Sequence, residues 1–252
     1  MTENKTDAPA KNFNEIKLGI VCPMANESLS AADLVRSVLD KCREFKTVRF
    51  FAVFDNACKD GTVNLLRKMQ NKYPELSVVW APENKCVVDA YIRGYREAIN
   101  SGCDWILEMD AGFSHKPEQI PQFFEKMSQG YDCVFGSRFC PGGKFTDSPW
   151  HRKFISRGGT MLANILLGTK LKDMTSGFEM FTKESLQSVL DKGIRSKGHF
   201  FQTEIKTYCR KMRIAEVPIH YSSPSNNVNT GVLLDSFGQL FRLFGKRISG
   251  KL

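Results

Sequence analysis

The stretch WILEMDAGFSHKPEQIP, residues 105–121, decides how the chain is read. Three apolar residues, Trp105-Ile106-Leu107, run into Glu108-Met109-Asp110, and a turn of small residues follows. Lys116-Pro117-Glu118 then has the form of a helix start, since proline is tolerated where its missing N–H has no partner to lose. An apolar strand that brings a carboxylate to a turn and continues into a helix is half of a βαβ unit. The same rhythm extends to both sides. Strand-like runs at 16–22, 47–54, 76–80, 105–109 and 133–136 alternate with helix-like segments at 29–44, 61–73, 88–101 and 117–129. This alternation predicts a single α/β domain, Rossmann-like, with a mostly parallel central sheet flanked by helices.

Ligands of such sheets bind beyond the carboxyl ends of the strands, so the strand ends carry the functional reading. They are CPMANE (22–27), DNACKDGT (55–62) and DAGFSH (110–115). Asp55 and Asn56 stand at a strand tip, where their side chains can hydrogen-bond a nucleobase or ribose edge. Asp60 or Thr62 can cap the following helix. Asp110 is the strongest single candidate, because a strand-end carboxylate can hold a divalent cation against a diphosphate and assist its departure. Glu108 shares a strand face with Asp110. A carboxylate there is costly to bury alone, so it is either a second ligand from behind or, the preferred reading, the partner of a Lys or Arg. Beyond residue 138 the rhythm changes. A Gly/Pro loop leads to a basic helical stretch at 151–168, and helices at 183–192 and about 200–212 precede a strand at 213–219. Arg152 and Ser156 are four residues apart and share a helix face, a compact phosphate site or else a solvated basic face.

The 252 residues carry a formal charge of +9, which favours anionic partners without choosing among them. None of the eight cysteines forms a CxxC pair, and several lie in apolar runs, so reduced thiols in a cytoplasmic setting are expected, and zinc is not. No apolar run reaches the roughly 18–20 residues needed to span a bilayer. At the C-terminus, Leu233, Leu234, Phe237, Leu240, Phe241, Phe244 and Ile248 recur at helical spacing, with Arg242, Lys246, Arg247 and Lys251 among them. A helix of this composition suits a peripheral contact with an anionic membrane face, or packing on the domain or on a partner subunit.

Taken together, the segments resemble family 2 glycosyltransferases of GT-A fold, in particular the dolichyl- or polyprenyl-phosphate mannosyl- and glucosyltransferases. CPMANE stands for P-x-x-N-E, FDNACKDGT for the V-D-D-x-S-x-D-G-T loop, and MDAGFSHKPEQIP for M-D-A-D-x-S/Q-H-x-P. GSRF, RKFISRGGTMLANILLG, KDMTSGFEMF, GHFFQTEI and EVPIHY follow in order. The resemblance implies a nucleotide half at about 15–115 and an acceptor half at about 116–231, between a disordered arm (1–14) and the C-terminal helix (232–252). It implies that Pro23, Asn26, Glu27, Asp55 and Asn56 surround the nucleotide-sugar donor. Asp110 and Ser114 would bind a divalent cation, Mg²⁺ or Mn²⁺. Arg138, Arg152 and Ser156 would hold the phosphate of a polyprenyl phosphate acceptor, and Thr175, Ser176 and Gly177 would shape the sugar pocket. Glu204 falls where hydroxyl-accepting relatives place a general base, which makes Asp110, Arg138 and Glu204 the expected catalytic residues.

Four positions depart from the pattern. Gly112 replaces the second acid of D-A-D, Asn56 the acid that contacts the base, and Cys86-Val87-Val88 the G-x-G before Ala90-Tyr91. The loop 222–231, usually basic, has no Arg or Lys. All four lie on the donor side or its cover. They fit a different nucleotide sugar, a weakly held cation or a nucleotide-binding module without turnover, in that order. A hydroxyl acceptor such as a modified nucleic-acid base is the alternative within the enzyme class. Nucleic acid is the less favoured partner, because the chain has no aromatic-basic strip of the kind that grips single strands.

Overall fold

Residues 17–23 read KLGIVCP, with five consecutive buried positions between an exposed lysine and a half-buried proline. A strand buried on both faces belongs in the middle of a parallel sheet, and that is its place. The computed structural model describes residues 12–146, 150–222 and 230–252, apart from the side chains of 150–152 and 230–233. The elements run β1 (Lys17–Pro23), α1 (Ala31–Lys41), β2 (Thr47–Phe54), α2 (Thr62–Met69), β3 (Leu76–Trp80), α3 (Val87–Asn100) and β4 (Trp105–Glu108). Then come α4 (Ile120–Ser128), β5 (Cys133–Ser137), β6 (Lys144–Thr146), α5 (Trp150–Leu167), β7 (Glu179–Thr182), α6 (Lys183–Asp191) and α7 (Phe201–Tyr208). The chain closes with β8 (Ile214–Pro218), β9 (His220–Ser222) and α8 (Thr230–Ile248).

The main sheet has the order β3-β2-β1-β4-β7-β5-β8, and β6 pairs with β9 in a small second sheet. β1 to β4 are mutually parallel, and so are β5 and β8. The exception is β7, antiparallel to both its neighbours. Its sequence, EMFT, carries an acid at a fully buried position.

Each face of the sheet carries its own apolar layer. One gathers Leu18, Ile20, Phe50, Trp105 and Leu107 with residues of α1, α2 and α4. The other gathers Val21, Phe51, Val53 and Ile106 with residues of α3, α6, α7 and α8. α3 approaches β1 closely enough that a Cβ on Gly94 would stand 2.3 Å from Val21 Cγ1, so only glycine fits there.

Residues 12–14 of the expected arm (1–14) belong to the described fold. Residues 1–11 lie outside the described residues. Phe13, however, sits in a 3₁₀ turn (Phe13–Glu15), stacks on Phe45 at 4.9 Å and meets Trp105 edge-on at 6.0 Å. Aromatic pairs of this kind contribute about 0.5–1.5 kcal/mol beyond their buried area, enough to anchor the chain start.

The C-terminal helix is divided between two tasks. Leu240 and Leu243 are buried against the domain, whereas Leu234, Phe237, Phe241 and Ile248 are exposed on the other side. Arg247 donates to the carbonyls of Ile165 and Leu166, which close α5 and otherwise lack helical partners. Among the described residues no helix is long and apolar enough to cross a membrane. All eight cysteines are unpaired.

Candidate active site

Because β1, β2 and β4 are parallel neighbours, their carboxyl ends meet at one edge, and the loops that leave them are tied together. Asn26, at φ +58°, donates from its amide to the Ala57 carbonyl (3.1 Å) and accepts from the Lys59 N–H (2.8 Å). The Glu27 N–H donates to Thr62 Oγ1 (2.9 Å), and the Ser28 N–H to an Asp60 oxygen (3.1 Å). Asp60 also accepts from the Thr62 hydroxyl and N–H, and these bonds hold its carboxyl well below the usual range. Asp60 is thus the acid that ties down the start of α2. At the next tip Asp55 accepts from the Ala57 N–H (2.8 Å), and the Asn56 amide donates to the Pro82 carbonyl (3.0 Å). Pro23 ends β1, half-buried beside them.

Asp110 stands just past β4, with its side chain 40% exposed. The buried Tyr91 hydroxyl of α3 donates to its Oδ1 at 2.5 Å. Burial and the nearby Asp110 charge push the Tyr91 phenol well up. The Asp110 N–H donates to His115 Nδ1 (3.1 Å), which places the ring proton on Nε2. Nε2 is buried, lacks a hydrogen-bond partner and lies 3.8 Å from Asp110 Oδ2. Burial lowers the His115 pKa to about 4, so the ring is neutral at physiological pH. Gly112 follows at φ +68° and Phe113 at +57°. This left-handed bend suits glycine, and a Cβ at 112 would stand 3.1 Å from Glu27 Oε1. The place where a second acid would begin is therefore taken up by the Glu27 carboxylate. Among the described residues no three His, Cys, Asp or Glu side chains converge as metal ligands, and Asp110 bonds Tyr91 and His115 with no hydrogen bond to the Ser114 hydroxyl. The donors here are hard oxygens, which suit Mg²⁺ or Mn²⁺ completed by ligands from a bound diphosphate.

Behind Asp110 the structure corrects the pairing expected for Glu108. Its carboxylate accepts from the Tyr95 hydroxyl and the Gln202 amide, not from a Lys or Arg. The available cation, Lys206, pairs instead with Glu179 (3.0 Å), which faces Glu108 across the β4–β7 register. Burial pushes both acids up, and Lys206 holds Glu179 to about 7. Two buried acids in one place share protons, and a nearby cation and hydroxyl settle how.

The acceptor-side residues gather around Arg138, at the end of β5. Its guanidinium donates to both oxygens of Asp173 (2.7 and 2.8 Å), to Thr175 Oγ1 (2.5 Å) and to Ser156 Oγ on α5 (3.0 Å). Asp173 is fully buried. Burial alone would raise its pKa, yet the Arg138 charge holds it well below the carboxylate range. Arg138 lies over the rings of Phe145 (4.6 Å), Phe139 (5.3 Å) and Tyr221 (5.6 Å). Its Nη1 has no hydrogen-bond partner among the described residues. The Ser176 carbonyl accepts from Lys206 (2.6 Å), and Gly177 lies against the Gln202 amide. Thr175–Gly177 thereby joins the arginine cluster to the Glu108 network. Tyr221 makes a second link, 5.3 Å from the His115 ring and 5.6 Å from the Arg138 guanidinium. Arg152 lies on α5, but its side chain is outside the described residues, as are residues 223–229 of the loop that lacks Arg and Lys.

The base expected at Glu204 is corrected by its surroundings. The side chain is fully buried and accepts from the Ser196 N–H (2.9 Å) and hydroxyl (2.6 Å), from the Tyr208 hydroxyl (2.9 Å) and from Arg242 of α8. Burial raises its pKa, but these donors outweigh it and bring the carboxyl below its ordinary value. A carboxylate with its lone pairs filled and no solvent face is a structural tie, not a base. Glu204→Gln should lower stability by about 2 kcal/mol, as buried donors lose an acceptor. The bond set is present in full above the unfolded-state pKa of about 4.3 and is lost as pH falls through the depressed folded value. Urea midpoints should therefore show the wild-type advantage over Glu204→Gln at pH 6 shrinking toward pH 3.5.

The model for the family described as Glycosyl transferase family 2 matches residues 19–190. The undecaprenyl-phosphate mannosyltransferase of Micrococcus luteus is 36% identical over 171 residues, 67% of this chain and 70% of that protein. The polyprenol monophosphomannose synthase of Mycolicibacterium smegmatis is 27% identical over 206 residues, 81% of this chain and 76% of that one. Among solved structures, glucosyl-3-phosphoglycerate synthase of Mycobacterium tuberculosis, in complex with Mn²⁺, UDP and phosphoglyceric acid, superposes with a TM-score of 0.64 at 15% identity. That match covers 92% of this chain and 78% of that one, and at such identity it speaks for the GT-A fold.

Proposed function

This chain belongs to glycosyl transferase family 2, and from that membership we propose that it moves a hexose from a nucleotide-diphosphate sugar to a polyprenyl phosphate, with inversion at the anomeric carbon. The observation that carries the acceptor assignment is the cluster of Arg138, Ser156 and Thr175, in which Arg138 Nη1 makes no hydrogen bond to any described residue. An anion seated there meets a guanidinium fixed by Asp173, so orienting the acceptor needs little reorganisation. A phosphate is already ionised at neutral pH and attacks without a general base. The saturation of Glu204 agrees with this and disfavours a hydroxyl acceptor.

On the donor side, the strand tips with Pro23, Asn26, Glu27, Asp55 and Asn56 would face the nucleotide, with Asn26 shaping the loops more than contacting the ligand. Asp110 would hold a divalent cation, whose chemistry is neutralisation of the diphosphate as it leaves. The neutral His115 keeps the Asp110 backbone in place without adding a competing positive charge. Thr175, Ser176 and Gly177 lie between the two halves, where the transferred sugar would sit.

The test is transfer of labelled hexose from a panel of UDP-, GDP- and CDP-hexoses to a polyprenyl phosphate in detergent with Mn²⁺. The expected product is an organic-extractable, acid-labile glycolipid. Label on a hydroxyl acceptor alone, or donor binding without transfer, would overturn the assignment.

Membrane contact belongs to the same proposal. Phe154, Met161 and Ile165 are exposed along α5, and Leu234, Phe237, Phe241 and Ile248 along α8, with Lys246 and Arg247 near the end of α8. Such a surface beside the acceptor cluster suits an anionic bilayer interface. Because Phe237 and Phe241 are exposed, replacing both with Glu should leave the fold intact and abolish sedimentation with phosphatidylglycerol vesicles. Unchanged sedimentation would end the membrane reading.

A further inference from the structure

The cation expected at Asp110 lacks its usual second acid, since position 112 is glycine. We propose that Glu27, from the loop after β1, supplies that acid, so that this chain holds a divalent cation between carboxylates of two different strand tips. The inference rests on the donor-side reading above and concerns which residues of this chain carry it out.

Three observations converge. A Cβ built on Gly112 would lie 3.1 Å from Glu27 Oε1 and 3.4 Å from Oε2, so the Glu27 carboxylate occupies the space into which an acid at 112 would project. The turn therefore lacks the acid at 112, and a carboxylate from the neighbouring loop stands against that position. Second, the carboxylate is held in place at one oxygen only. The Ser30 hydroxyl donates to Oε2, and Oε1 accepts no hydrogen bond from any described residue. An oxygen fixed through its neighbour and left unbonded is poised for a cation, because little rotamer freedom remains to be lost. The Glu27 backbone is fixed as well, by its N–H bond to Thr62 Oγ1 and by the Ser30 and Ala31 N–H groups on its carbonyl. Third, a fully buried polar group points at the same place. His115 Nε2 lacks a hydrogen-bond partner and lies 3.8 Å from Asp110 Oδ2, on the carboxylate that would face the cation.

A cation bridging β1 and β4 tips would take its remaining ligands from diphosphate oxygens and water, the usual completion for Mg²⁺ and Mn²⁺. It would also sit closer to the β1 loop than one held by two acids of the β4 turn.

The test is Mn²⁺ binding to the full chain, read from the free-ion EPR signal, with the metal alone and again with UDP or GDP. Thermal melting without metal reports folding. Glu27→Gln is expected to weaken Mn²⁺ binding at least tenfold with little change in the metal-free melt. Asp110→Asn should do the same, and Glu27→Asp, which keeps the charge at shorter reach, should fall between. Ser30→Ala removes the hydroxyl contact and keeps the carboxylate, and should retain most of the binding. Wild-type affinity in Glu27→Gln with loss in Asp110→Asn would overturn the role of Glu27 and leave the donor-side reading standing. Equal losses in Ser30→Ala and Glu27→Gln would also overturn it, because the effect would then come from the helix start. No Mn²⁺ binding by the wild-type chain under any condition would remove both.

Discussion

Asp110→Asn is expected to reduce kcat by about 10²–10³, the usual cost of losing a group aimed at charge that develops in the transition state. Asparagine keeps an oxygen for the Tyr91 hydroxyl, and the side chain is 40% exposed, so the metal-free melting temperature should barely move. The effect should fall on turnover, with the KM for the polyprenyl phosphate nearly unchanged, because the acceptor cluster is built from other elements. Steady-state transfer at saturating donor, with both substrates varied, checks this. A variant with normal turnover would show that Asp110 only orders its turn.

Arg138→Met should have the largest effect on the protein itself. It strands Asp173, which is fully buried and ion-paired with this guanidinium, and removing one member of such a pair costs about 3–5 kcal/mol. Arg138→Lys keeps the charge but not the fork that serves Asp173, Ser156 and Thr175 together. It should raise the KM for the acceptor about 10- to 100-fold with a smaller loss of stability. The double variant Arg138→Met/Asp173→Leu should regain most of the stability and none of the transfer. Chemical denaturation beside acceptor titrations separates the two effects. Recovery of transfer in the double variant would disprove any role for Arg138 in holding the acceptor.

Much of this was legible in the sequence. The strands at 47–54 and 76–80 match β2 and β3 end to end, because continuous apolar runs bounded by polar turns leave little choice. The family resemblance assigns Arg138, Arg152 and Ser156 to one acceptor phosphate, and in the structure Arg138 and Ser156 are hydrogen-bonded at 3.0 Å. Asp173 could not be named, since its pairing with Arg138 spans 35 residues and exists only once β5 and the segment before β7 are side by side. β7 was hidden for a related reason: a strand containing Glu179 is buried only because Lys206 reaches it from α7. That helix is the clearest limit of periodicity. All eight residues of FQTEIKTY are buried, the charged ones included, since their partners lie inside the domain. An acid on such a helix reads as accessible when it is not, hence the misplaced base at Glu204.

The antiparallel β7 has one more consequence. By hydrogen-bonding β4 on one side and β5 on the other, it welds the strand that presents Asp110 to the strand that presents Arg138 into one continuous slab. No hinge separates the leaving-group end from the nucleophile end, so their spacing is a fixed dimension of the scaffold. The enzyme would then select substrates as a gauge does, by whether sugar and phosphate together span that gap.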